Sequence, residues 1–501
     1  MQLSHKDYID KVNGCWLGKN IGGTLGAPME WYRQVNDVSF YQQDLHGEPV
    51  PNDDLDLQLV WLAALENHGI DIDAHVLADY WLLYVGPHYS EYGTGKANLR
   101  RGLMPGLSGT VDNDFKDSCG AFIRSEIWAC MCPAMPALAA RYAYEDAIVD
   151  HGHGEGTHAA VMIAAMQSAA FVVNDLRRLI DIGLSYIPIG CGVAKAVRMT
   201  MTLVDAGGDW RTIRDEILKH HRGLAFMGDR SRISDEDFAK GFFDGPKGYD
   251  APSNIAIVVL GLMLCGDDFG RMLCTTVNCG EDTDCTAATA GAIWGIMHGA
   301  EAIDRRWVEP IGTGISTLCV NRGEIFPPVP ADIDELTERV DRLARQVALR
   351  HNLQCPSDSS VVRADVDVEK LMGDGPVCVE SDDMAGAAFR YPLFTVRTYY
   401  PSGPFVNADG PTSVRVTIEN HSRAPATLEV RWHCPEGWSA DPGAMSAICQ
   451  QGNYSELTEM RFELSSSSQV QASNRFVLEI LPINRACMME IPITLIRPCQ
   501  G

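Results

Sequence analysis

Residues 278–295, NCGEDTDCTAATAGAIWG, decide how this chain is read. Gly280 breaks the preceding run. Glu281, Asp282 and Asp284 follow, and an apolar helix rich in Ala and Gly opens behind them. Residues 51–66, PNDDLDLQLVWLAALE, repeat the plan. There Asn52 is a good N-cap, so Asp53, Asp54 and Asp56 fall in or beside the first turn. A single acidic helix start is ordinary, because the macrodipole favours it by ~0.3–1 kcal/mol. Three carboxylates so close together repel each other, and a bound cation removes that repulsion. Hard cations such as Mg²⁺ and Ca²⁺ take carboxylate oxygens. If the two helix starts converge, Asp53, Asp54, Asp282 and Asp284 form a metal site. Spacing alone does not show convergence.

The rest of the chain sets the context. Its 501 residues carry 41 Lys and Arg against 66 Asp and Glu, a formal charge of −25. That balance excludes nucleic acid, which needs clustered Lys and Arg, and an anionic membrane surface. Hydrophobic residues make up 46% and charged residues 21%, which suits a folded chain. The start, MQLSHKDYIDKV, has no apolar signal region, and no apolar run approaches the ~20 residues of a membrane helix. Sixteen scattered cysteines with no CxxC pair read as reduced thiols, so a cytoplasmic location is expected.

The periodicity changes near residue 395. Before it, Leu55, Leu59 and Leu62, then Leu336, Val340, Leu343 and Val347, recur at helical spacing. Residues 93–109 read as a Gly-rich loop. After residue 395 the period is two: Val414, Val416 and Ile418; Leu428, Val430 and Trp432; Met460, Phe462 and Leu464; Phe476, Leu478 and Ile480; Ile491, Ile493 and Leu495. This predicts helices over 1–350, a connector over 351–394 and a β-sandwich over 395–501. From residue 396 on, eight Arg and no Lys meet ten acidic residues, so −2 of the charge lies there and −23 before it.

Five segments in order carry a family resemblance. They are GCWLGKNIGGTLGAPME (14–30), NDD (52–54), CGAFIR (119–124), DHGHGEGTHAA (150–160) and GEDTDCTAATAGAIWG (280–295). Together they resemble the ADP-ribosylglycohydrolase family, which includes the dinitrogenase-reductase-activating glycohydrolases. The resemblance implies a multidomain α and β protein: an all-α catalytic domain, here followed by an immunoglobulin-like β-sandwich. HCPEGWSADPG (433–443) resembles a turn of small immunoglobulin-like modules on sugar-active enzymes. The family implies one or two Mg²⁺ ions, with Ca²⁺ or Mn²⁺ also compatible, and cleavage of a glycosidic bond at the anomeric carbon of a ribose. By position, Asn52, Asp53, Asp54, Asp282, Asp284 and Cys285 stand as metal ligands. Asn52 and Cys285 replace Thr, and Gly23 replaces an Asp of the opening helix. Asp54, Asp284 and Glu30 are the catalytic candidates. Asp56, Glu281, Arg124 and His151 are substrate contacts.

Other motifs carry less. His151, His153 and His158 do not share one helical face, which disfavours zinc there. GTGKAN (93–98) lacks the Walker A pattern. Tyr80, Trp81, Tyr84, Tyr89 and Tyr92 read mostly as core, with one or two available to stack on a sugar or base. The expected substrate is an ADP-ribosylated protein or a small glycoside. A catalytically impaired ADP-ribose or sugar binder is the alternative from another class. Self-association as a homo-oligomer stays open.

Overall fold

The computed structural model describes residues 2–498 apart from 322, 354–360, 364–365, 452–456, 468–469 and 484. The CPSDSS run of the expected connector therefore lies outside the described residues, apart from which the chain forms two compact units. The first comprises Met1–Glu91, Asp114–Ala147 and His153–Cys378; the second comprises Tyr92–Asn113, Ile148–Gly152 and Val379–Gly501. These units cut across the boundaries drawn at 350 and 395. Two short segments inside the helical half fold with the β-strands. The β-structure also begins before 395, with Met384–Ala385 and Phe389–Tyr391.

The first unit is helical. Its opening helix, His5–Gly26, is capped by Ser4, whose side chain accepts from the Asp7 amide at 3.1 Å. The helix is buried on nearly every side, and it lies along Thr283–His298. Glycines set that approach. A Cβ on Gly14, Gly18, Gly22 or Gly26 would fall under 3.0 Å from main-chain atoms of Gly295, Gly291, Ala287 and Thr283 respectively. The reverse holds for Gly291 and Gly295 against Gly18 and Gly14. The four-residue repeat places these glycines on one stripe, so two backbones meet with no side chain between them.

The second unit is a sandwich of two antiparallel sheets. One runs Met384–Ala385, Phe394–Tyr400, Thr412–Asn420, Thr458–Ser466, Trp438–Asp441, with Phe389–Tyr391 also paired to Phe394–Tyr400. The other runs Met489–Ile496, Ser473–Pro482, Ala426–His433, Ala444–Cys449. The alternating residues face inward as the period of two predicts. Val416 pairs with Met460, Leu478 pairs with Trp432 and Ile491, and all are buried in one core. Trp432 meets Phe462 of the opposite sheet with ring centroids 5.2 Å apart.

The reading of 93–109 as one loop is corrected. A helix spans Ser90–Arg100. Gly95 is there for close approach rather than for a turn, since a Cβ would come 3.2 Å from Asp150 Cα. Burial of Tyr92, Lys96 and Asn98 overrides the weak helix propensity of this stretch. Among the described residues, no helix is long and apolar enough to cross a membrane. The described cysteines are all free thiols.

Candidate active site

The glycine stripe ends at the site. Thr283 Oγ1 donates to the Gly26 carbonyl at 2.8 Å. Beyond Gly26 a short turn, Ala27–Met29, leads to Glu30. The Trp31 amide donates to the Glu281 carbonyl at 2.8 Å, and the Glu281 amide donates to Tyr32 at 3.1 Å. These bonds set Glu30 beside the Asp282–Asp284 turn. One carboxylate oxygen from each of Glu30, Asp282 and Asp284 lies within 4.8 Å of the others.

The other acidic helix arrives at the same point. Asn52 caps Asp53–His68 as its sequence predicts, accepting from the Asp54 amide at 2.7 Å. Its Nδ2 donates to Asp284 Oδ2 at 3.0 Å and so bridges the two acidic motifs. Gly23 leaves room for this amide, since a Cβ there would come 3.0 Å from Nδ2. Ligand atoms of Asp54, Asp284 and Cys285 also group within 4.8 Å. Cys285 donates its thiol to Asp54 Oδ1 at 3.4 Å. Burial raises the thiol well above its ordinary range, and Asp282, Asp284 and Asp54 raise it further. Cys285 therefore acts as a donor to a carboxylate in this structure. Asn52 likewise spends its amide on the cap and the bridge.

The carboxylates are strained electrostatically. Burial raises Asp54 and Asp282 well above the usual carboxylate range. The Asp284 charge, then burial, then Asp53 and Asp54 push half-buried Glu30 up to about 9, against a hydrogen bond from the Trp31 side chain. Both oxygens of Asp282 and Oδ1 of Asp284 are buried with no hydrogen-bond partner. Lys19 offsets part of the charge. Its Nζ is 3.5 Å from Asp54 Oδ2 and 3.2 Å from Glu126 Oε2. Burial lowers this ammonium, but Glu126 and Asp54 outweigh it and the net shift is upward. Buried, unsatisfied oxygens gathered in this way suit a hard divalent cation.

The remaining candidates fall elsewhere. Asp53 stands at the rim, with the Tyr89 hydroxyl 3.4 Å from its Oδ2, and Tyr89 is 55% exposed. Tyr80, Trp81 and Tyr92 are core. Asp56 is fully buried and accepts from the amides of Leu318 and Cys319, both at 2.6 Å. It holds that loop and is not placed for a substrate. Glu281 does not open the helix as expected; it precedes it at φ +69° and pairs with Arg33 at 2.5 and 2.8 Å. Its two oxygens are thus taken. Arg124 is fully buried, 3.0 Å from Asp146 and over the Trp81 ring, so it is a core cation rather than a substrate contact. His151 belongs to the second unit, where it is buried and 2.9 Å from Asp150. Sequence reading missed Lys19 and Tyr89's place at the rim. A lone Lys inside the apolar GCWLGKNIGG run was the available signal for the first.

The helical unit thus carries a buried carboxylate cluster at the meeting of two acidic helix starts, a group of side chains that could hold a metal ion. The chain matches the ADP-ribosylglycohydrolase family over residues 4–352, more than half its length, and belongs to that family. An uncharacterised protein of Archaeoglobus fulgidus is 26% identical over 318 residues, covering 60% of this chain and 91% of the relative. A solved structure described as an ADP-ribosylglycohydrolase-related protein complex aligns over 68% of this chain and 98% of its own, at 18% identity and TM-score 0.41. A FixG-related protein from Vibrio parahaemolyticus aligns over 21% of this chain and 98% of its own, at 8% identity and TM-score 0.18.

Proposed function

We propose that the protein is a metal-dependent glycosyl hydrolase that cleaves at the anomeric carbon of a ribose or similar sugar. The convergence of Asp54, Asp282, Asp284 and Glu30 carries this reading. Asp54, Asp282 and Asp284 would hold Mg²⁺, with Asp53 at the rim. Bound there, the ion supplies charge for fixing vicinal hydroxyls and polarising a water. Asn52 and Cys285 orient the carboxylates through the bonds they donate. Lys19 opposes the burial that raises the Asp54 carboxyl. Glu30, at the outer side of the cluster, is the group that gives or takes the proton at the leaving atom. Tyr89 offers a ring face and a hydroxyl to the sugar.

The substrate is an ADP-ribosylated side chain or a small neutral glycoside. The charge of −23 before residue 396 repels a diphosphate on close approach, an effect screened beyond ~8 Å at physiological salt. That favours the glycoside. The test is Mg²⁺-dependent release of free sugar from arginine- and serine-linked ADP-ribose and from a glycoside panel. Asp282→Asn with Asp284→Asn should abolish it. Tight ligand binding with no turnover on any substrate would overturn the hydrolase reading.

A further inference from the structure

A second group of metal-ligating side chains lies outside the carboxylate cluster. Glu155 and His158 are one turn apart at the start of the helix Glu155–Ala170 and face the same side. His158 Nδ1 is 3.6 Å from Glu155 Oε2. That is too long for a hydrogen bond, and this nitrogen is buried with no hydrogen-bond partner. The next helix start closes on the pair. Glu155 accepts from the amides of Gly192 and Val193 at 2.7 and 2.9 Å, while Cys191 caps the same turn through Ala194 at 3.4 Å. Ligand atoms of Glu155, His158 and Cys191 lie within 4.8 Å of one another.

A second thiol approaches the imidazole from far along the chain. Cys378 interacts with the His158 imidazole, as Cys191 does, but its sulfur falls outside the three-residue group that lies within 4.8 Å; all four residues are mostly or fully buried. The segment that delivers Cys378 is fastened to the same region. Val377 donates to the Tyr186 carbonyl at 2.9 Å, and Gly373 donates to Ser185 Oγ at 2.8 Å. A helix cap accounts for Cys191 alone. It does not account for a second thiol beside the imidazole, or for a buried imidazole nitrogen held 3.6 Å from a carboxylate.

We propose that Glu155, His158, Cys191 and Cys378 form a structural zinc site. Ligand atoms around a tetrahedral zinc with bonds of ~2.0–2.3 Å stand roughly 3.3–3.8 Å apart, which matches the His158–Glu155 separation. Thiolate with imidazole selects zinc over Mg²⁺, so this site and the carboxylate cluster take different ions. Binding releases the two thiol protons to solvent, and the site then ties the 371–378 segment to two helices.

The full-length, untagged protein, purified without chelator, should retain about one Zn²⁺ per chain by elemental analysis. Exchange for Co²⁺ should give a thiolate-to-cobalt charge-transfer band and tetrahedral d–d absorption. Cys191→Ser, Cys378→Ser and His158→Ala should each lose the ion, while Asp282→Asn keeps it. The wild-type cobalt spectrum needs no variant to fold. A metal-free wild type that shows no thiolate band with Co²⁺, or a Cys191–Cys378 disulfide found by peptide mapping, would overturn the site.

Discussion

The thiol of Cys285 reaches across 231 residues of sequence to donate to Asp54 Oδ1 at 3.4 Å. A residue at a position of hard-ligand chemistry thus serves as a soft donor that aims a carboxylate. Cys285→Ala should weaken Mg²⁺ binding roughly tenfold, the usual cost of losing such an orienting partner. Cys285→Thr supplies a hydroxyl oxygen and should bind more tightly than the wild type. Calorimetric titration with Mg²⁺ decides; equal affinity for the wild type and Cys285→Ala removes the orienting role.

Metal and stability are coupled at the same place. With the buried oxygens of Asp282 and Asp284 neutralised, Mg²⁺ at about a hundred times its Kd should stabilise the fold by about 2.7 kcal/mol. EDTA should reverse this. Asp282→Asn removes one buried charge, so its melting temperature in EDTA should rise above that of the wild type, while its response to Mg²⁺ disappears. Thermal melts with and without Mg²⁺ test both halves.

A pH effect arises at Asp250. Burial raises its carboxyl to about 7; Glu281, Glu91 and Asp117 add to this, and Arg33 opposes it. Between about pH 4 and pH 7 the unfolded chain has released this proton and the folded chain still holds it. The folded state therefore loses stability as pH rises through that window, by up to about 1.4 kcal/mol per unit, and the loss is complete above it. Asp250→Asn should flatten this slope and be the more stable form at pH 8. Urea unfolding at pH 5 and pH 8 measures it; parallel pH profiles for the two proteins would count against this assignment.

The glycine stripe makes a sharper claim. Gly18→Ala and Gly291→Ala each put a Cβ under 3.0 Å from the facing main chain. Each should cost roughly 2–5 kcal/mol and weaken Mg²⁺ binding as well. Gly190 has open space around it, and Gly190→Ala should change stability by no more than about 0.5 kcal/mol. Chemical denaturation of the three variants separates close packing from general glycine effects.

Much of this was legible in sequence, and the reasons are local. The Asn52 cap, the two acidic helix starts and the alternating strands are written in neighbouring residues, where propensity and periodicity act. The motif match added their partnership. What stayed hidden depends on distant neighbours. Arg124 looks like a substrate contact until Asp146 and Trp81 surround it. Glu281 looks like a helix-opening acid until Arg33 claims it. Ser90–Arg100 looks like a loop until burial makes it a helix. Glu155, His158 and Cys191 show no metal spacing, because the fold and not the sequence brings them together.

The stripe of Gly14, Gly18, Gly22 and Gly26 also works as a ruler. Its graduations are main-chain atoms, which do not change rotamer. Sliding one helix past the other by a single turn would carry Glu30 about 5.4 Å from the Asp282–Asp284 turn. The distance between Glu30 and the acidic pair is therefore calibrated by backbone contact. It should tolerate repacking elsewhere in the core, and selection for new substrates is free to act on the rim around Asp53 and Tyr89 without detuning the centre.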